Sequence, residues 1–146
     1  MNYVTTRRSV FWFYVLTIIT CGIYGIYFTF RIKEDVNTIC ADDGKHTPGL
    51  FTLFFLSLIT CGIYSFVWYY NLNERIGLYF ERHLRSKTVD GVKYLLWSIL
   101  GILTCGLASI YATFLMVKGL NECSDIHNSK VDMQRSIYDQ MFLDAE

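Results

Sequence analysis

The chain has 146 residues, 53% of them hydrophobic and 18% charged, and its 13 Lys and Arg balance 13 Asp and Glu. No nucleic-acid partner is expected, and an odd total of five cysteines argues against a disulfide framework. The charge is also confined to tails and connectors, which leaves three long uncharged runs.

The first run lies between Arg8 and Arg31 and holds 22 residues. A helix rises about 1.5 Å per residue and a hydrocarbon core is about 30 Å thick, so about 20 residues span it. Phe11, Trp12, Phe13 and Tyr14 open the run, and Tyr24, Tyr27 and Phe28 approach its far end. Tyr and Trp favour such positions, where the ring is buried and its polar atom stays wet. Arg7-Arg8 before an apolar stretch also has the look of a signal peptide ending near Cys21. The same motif recurs twice downstream, so the run reads as a retained helix.

The second run, 47–73, opens with Pro48-Gly49, and from Phe51 to Tyr70 it offers only Thr52, Ser57, Thr60 and Ser65 besides tyrosines. That is no solvated stripe of the kind a soluble helix needs. The third run, 24 residues between Lys93 and Lys118, opens with Tyr94 and Trp97. The predicted fold class is an all-α integral membrane protein with three transmembrane helices, about 9–31, 50–71 and 94–117. They form one domain, 1–128, followed by a polar amphipathic C-terminal tail, 129–146.

Each run is centred on one motif: Thr20-Cys21-Gly22, Thr60-Cys61-Gly62 and Thr104-Cys105-Gly106. Cysteine spacings of 40 and 44 residues point to duplication of a helix-plus-connector unit. Copies one and three stay in register until Asn37 meets Asn121. Thr-Cys-Gly supplies small residues for close helix packing, Thr can bond back to a carbonyl one turn earlier, and Gly tolerates a kink. Three mid-membrane thiols, Cys21, Cys61 and Cys105, would suit a soft metal, but no His, Met or carboxylate lies nearby to complete a site. Packing is therefore the reading adopted, with no cofactor expected. A rival topology bends each run at its glycine into a hairpin, returning every connector to one side. The bend would strand backbone polar groups in hydrocarbon unless something covered them, so full spans are expected.

The connectors carry the polar chemistry. Asp35, Asn37, Asp42 and Asp43 offer oxygens for an ion or a partner, although their spacing is not that of an EF-hand, and Asp-Gly and Pro-Gly also mark ordinary turns. In the second connector Leu72, Ile76, Tyr79, Phe80, His83 and Leu84 follow helical spacing with Arg75, Arg82 and Arg85 alongside, as in an interfacial amphipathic helix. The tail repeats the theme with Met133, Ile137, Met141 and Phe142. With three crossings, Lys and Arg divide seven to six between the two sides, which barely orients the chain, with the N-terminus inside by one residue.

Ile-Thr-Cys-Gly-Ile-Tyr followed by aromatics, the Asp35-x-Asn37 and Cys40-x-Asp42-Asp43-Gly44-Lys45 connector leading to Pro48-Gly49, and Lys118-Gly-Leu-Asn121 together resemble the domain of unknown function DUF4234 over residues 7 to about 128. The third motif departs from the pattern, with Leu107-Ala108 in place of Ile-Tyr. The resemblance implies a multi-span helical protein of the bacterial inner membrane and brings no established activity.

No enzyme signature is present, and the runs hold no ionisable residue of the kind that marks a proton or ion path. The expected function is that of a non-enzymatic membrane protein acting through self-assembly or partner binding. Its expected partners are the lipid bilayer and either further copies of itself or another membrane protein. The alternative is a small-solute or ion channel or transporter formed between protomers, with Thr20, Thr60 and Thr104 lining the path.

Overall fold

The computed structural model describes residues 3–84 and 89–143, without the side chains of Leu84 and Phe142. Among these residues six α-helices follow in order: α1 (Val10–Ile19), α2 (Ile23–Ile39), α3 (Leu50–Ile59), α4 (Ile63–Leu84), α5 (Gly91–Leu103) and α6 (Leu107–Leu143), with a short 3-10 turn at Ala41–Asp43. Among the described residues there is no strand.

The three uncharged runs are not three helices. Each is broken at Thr-Cys-Gly into two arms, and no helix of the described residues is long and apolar enough to cross a membrane. Two consecutive left-handed residues make the break: Cys21, Cys61 and Cys105 have φ of 49°, 49° and 50°, and Gly22, Gly62 and Gly106 follow at 93°, 89° and 93°. A left-handed pair ends a right-handed helix, and at such φ glycine alone avoids a Cβ penalty. The run therefore reverses where full-length spans were expected to continue.

The turn also satisfies its own backbone. Thr20 Oγ1 donates to the Leu16 carbonyl (2.7 Å) and accepts from the Tyr24 N–H (2.9 Å), so one hydroxyl closes the end of α1 and the start of α2. Thr60 and Thr104 repeat both bonds, to Leu56 and Tyr64 and to Leu100 and Ala108. The Gly22 N–H reaches back to the Thr17 carbonyl at 2.7 Å, and the leading N–H groups of α2 find the Thr20 carbonyl, the Thr20 hydroxyl and the Gly22 carbonyl. These bonds meet the demand that made a mid-run bend look costly.

Directly behind each turn the two arms touch through small residues. Thr17 faces Gly25, where an added Cβ would lie 3.4 Å from Thr17 Cγ2. Ser57 and Ser65 share a 2.8 Å hydrogen bond, and a Cβ on Gly101 would come within 1.9 Å of Ser109 Oγ. These small residues flank the motif expected to pack: Cys21, Cys61 and Cys105 are exposed, and a Cβ on any of the three turn glycines would meet nothing within 4 Å.

α2, α4 and α6 run side by side in the same direction, in register from their turns. Counted from each turn glycine, position six is Phe28, Trp68 or Ala112, and position ten is Ile32, Leu72 or Met116. Position fourteen is Val36, Ile76 or Leu120, position seventeen is Ile39, Tyr79 or Cys123, and all twelve are buried. Intervals of four, four and three trace one helical face, and three such faces meet as the core. The stretch expected to lie at a membrane interface, around Leu72 to Phe80, is instead the inner face of α4. Arg85 and Lys87 fall outside the described residues. α6 runs through position 128 without a break, and Met133, Ile137 and Met141 are exposed on its protruding end.

Candidate functional site

The first connector and the N-terminal lead-in lie at the end of the bundle opposite the three turns, and two arginines organise them. Arg75 on α4 is buried and makes five hydrogen bonds. Nε and Nη2 grip the two oxygens of Asp43 (2.8 and 3.1 Å), Nη1 donates to Asn37 Oδ1 (2.7 Å) and Thr47 Oγ1 (2.6 Å), and Nη2 also reaches the Lys45 carbonyl (2.8 Å). Burial would raise the pKa of Asp43, but the bonds from Arg75 and the Lys45 amide outweigh it and hold the carboxyl below its ordinary value.

Arg8 is the second organiser. It pairs with Asp35 of α2 through Nη2, while Nη1 lies 3.3 Å from Asn121 Oδ1 and 3.4 Å from Ser124 Oγ of α6. Burial disfavours the charged guanidinium and the neighbouring Asp35 carboxylate opposes that effect. Two asparagines then clasp the extended lead-in by its backbone. Asn121 accepts from the Arg8 N–H (3.1 Å) and donates to its carbonyl (3.0 Å), and Asn128 does the same for Val4 (2.9 and 2.8 Å).

The four oxygen-bearing residues expected to form one ion or partner loop are thus divided. Asn37 and Asp43 serve Arg75, Asp35 serves Arg8, and Asp42 is exposed. A guanidinium occupies the place foreseen for a cation. These pairings also overturn the three-crossing arrangement, which put Asp35 and Asp43 on one side of a membrane and Arg8 and Arg75 on the other.

Cys21, Cys61 and Cys105 stand on the tips of separate hairpins, and among the described residues no three His, Cys, Asp or Glu side chains are placed to hold a metal ion. The remaining cysteines, Cys40 and Cys123, are buried in the core. Burial pushes the Cys40 thiol up to about 12, against the pull of Arg75, and raises Cys123 likewise.

Among the cavities against the first hairpin, two differ sharply in their lining. One of about 630 Å³ opens between α2 and α3, walled by Phe13, Ile26, Leu53 and Phe54 with Thr29, Ser57 and Tyr69 among them. The other, about 310 Å³, joins Arg7, Arg8 and Arg31 to Trp12, Tyr24 and Tyr27.

The model of the domain of unknown function DUF4234 matches the chain twice, over residues 8–78 and 49–122. The chain belongs to this family. The two matches overlap and are displaced by one repeat: the first covers hairpins one and two, the second hairpins two and three. Each match thus takes in a pair of this chain's hairpins. Neither a curated protein nor a solved structure matches the chain.

Sequence reasoning missed Arg75, Arg8 and Asn128 as organisers. The signals for Asn121 were its alignment with Asn37 at the end of the shared register of copies one and three, and its place in Lys118-Gly-Leu-Asn121.

Proposed function

We propose that the protein is a non-enzymatic membrane protein that inserts its three hairpins from one face of a bilayer and acts there by assembly, with itself or with a partner. The bacterial inner membrane is the setting this reading assigns. The observation that carries it is the polarity of the bundle along its length. At the turn end, Ile18, Ile19, Ile23, Leu58, Ile59, Ile63, Ile102, Leu103 and Leu107 are all exposed, while the other end has a buried apolar core beneath charged connectors. Large exposed apolar surfaces mark contact with lipid or with another protein.

Depth supports the same reading. Counting outward from the turns, the first charges on α2, α4 and α6 are Arg31, Glu74 and Lys118, nine to twelve residues past the glycines. At about 1.5 Å per residue this is about 13–18 Å, against about 15 Å for half a hydrocarbon core. Short arms of this length need no spanning helix.

Cysteine-labelling topology tests the proposal. With Cys21, Cys61 and Cys105 replaced by serine, single substitutions His46→Cys, Glu81→Cys and Ser129→Cys should all react with an impermeant maleimide from the same side of sealed vesicles. Reaction of Glu81→Cys from the side opposite His46→Cys would restore three crossings. A protein that stays in solution without detergent or lipid would remove the bilayer from the reading. The channel alternative is less well supported, because the hydroxyls of Thr20, Thr60 and Thr104 each donate and accept within their own turns.

A further inference from the structure

The 310 Å³ cavity beside α1 and α2 has a cationic end and an aromatic end. Arg8 is already committed to Asp35, and that pair neutralises itself. Arg7 and Arg31 are exposed and make no ion pair or hydrogen bond among the described residues, so two unneutralised guanidinium groups face the same opening. Trp12 and Tyr27 continue the wall towards the turn, exposed by 59% and 56%.

These arginines depart from the repeat. Nine residues past the turn glycine, Arg31 is matched by Asn71 and Leu115. Thirteen residues before the turn threonine, Arg7 is matched by Thr47 and Gly91. Units two and three build the same hairpin without a cation at either place, so the fold does not require one.

We infer that this cavity binds the phosphate of an anionic lipid, held between Arg7 and Arg31, with its acyl chains running over Trp12 and Tyr27 towards the hairpin tip. The inference rests on the membrane reading above. Arginine presents paired N–H donors to phosphate oxygens, and a net charge of two positive groups disfavours a zwitterionic headgroup, whose ammonium would sit beside them. The aromatic wall selects a lipid phosphate over a free one, because inorganic phosphate gains nothing from apolar surface.

The test is native mass spectrometry of the full chain in detergent with phosphatidylglycerol or phosphatidylcholine added. The wild type should retain one phosphatidylglycerol with a preference of about tenfold, the scale expected of two cations at an anionic headgroup. Arg7→Gln with Arg31→Gln should abolish the preference while leaving the melting temperature unchanged. Lys45→Gln with Lys93→Gln, which removes equal charge elsewhere, should keep it. Equal retention of both lipids, or equal loss in the lysine pair, overturns the site and leaves the membrane reading standing. Displacement of the lipid by millimolar inorganic phosphate overturns the lipid assignment. A protein that binds neither lipid and stays soluble without detergent overturns both.

Discussion

Asn37 and Asn121 occupy the same place in their repeat units, fifteen residues past the turn glycine, and each holds the segment that leads into a hairpin other than its own. Asn37 accepts from the N–H of Thr47, just ahead of α3, and Asn121 clasps Arg8, just ahead of α1. The middle unit has Gly77 at that position, and Glu74 does the work instead by accepting from the Gly91 N–H at the start of α5 (3.2 Å). Each even-numbered helix therefore seats the next hairpin, and α6 seats the first.

Asn121→Leu should cost about 2 kcal/mol, because it strands the Arg8 N–H and carbonyl in a partly buried setting. The lead-in should also loosen, so trypsin should cut after Arg7 or Arg8 several times faster than in the wild type. Unchanged cleavage would mean that the clasp does not hold the lead-in down.

Arg75→Met should be among the most damaging single changes, at about 3–5 kcal/mol by thermal unfolding in detergent, because it leaves the Asp43 carboxylate buried without its cation. Asp43 has a lowered pKa in the folded protein. Its contribution is present above the unfolded carboxyl value and is lost as pH falls through the lower folded value. Asp43→Asn should accordingly flatten the fall in stability below about pH 4. An acid limb identical in both proteins would show that the pair is not coupled to folding.

The turn makes opposite predictions for adjacent residues. Gly62→Ala should destabilise by about 1–2 kcal/mol, since φ near 90° lies outside what a Cβ accepts. Cys61→Gly should be neutral or slightly stabilising, because Cys61 already holds φ of 49°. Melting temperatures that move the other way would rule out the left-handed pair.

Thiol reactivity separates the two classes of cysteine. A small uncharged thiol reagent at pH 8 should modify Cys21, Cys61 and Cys105 in the folded, detergent-solubilised protein. Cys40 and Cys123 should react only on unfolding, since burial keeps them protonated as well as covered. Five thiols reacting at one rate would contradict the buried placement of Cys40 and Cys123.

The repeat, the all-helical class and the bending role of the mid-run glycine could be read from the residues. The hairpins were readable only as a rival topology, because an uncharged run of 22 residues has the same length whether it crosses a bilayer once or enters and returns. What decides between them is the sign of φ at Cys21 and Gly22, and Thr-Cys-Gly spells a packing motif as readily as a turn. The organising pairs were harder still. Arg75 lies 32 residues from Asp43 and Arg8 lies 27 from Asp35, and a hairpin turn intervenes in each case, so no spacing along one helix signals either pair. Topology assigned by run length alone even placed these partners on opposite sides.

The clasp of Arg8 by Asn121 makes a seam that ties the first hairpin to the last. Ile32, Leu72 and Met116 already fill one level of the shared interior, and Val36, Ile76 and Leu120 fill the next. A fourth unit inserted at the seam would have to prise those levels open, whereas a two-unit chain would leave one side of them bare and in need of a second molecule. In this chain α6 holds the lead-in to α1 across that seam, and a circularly permuted chain that begins within another connector should fold the same way.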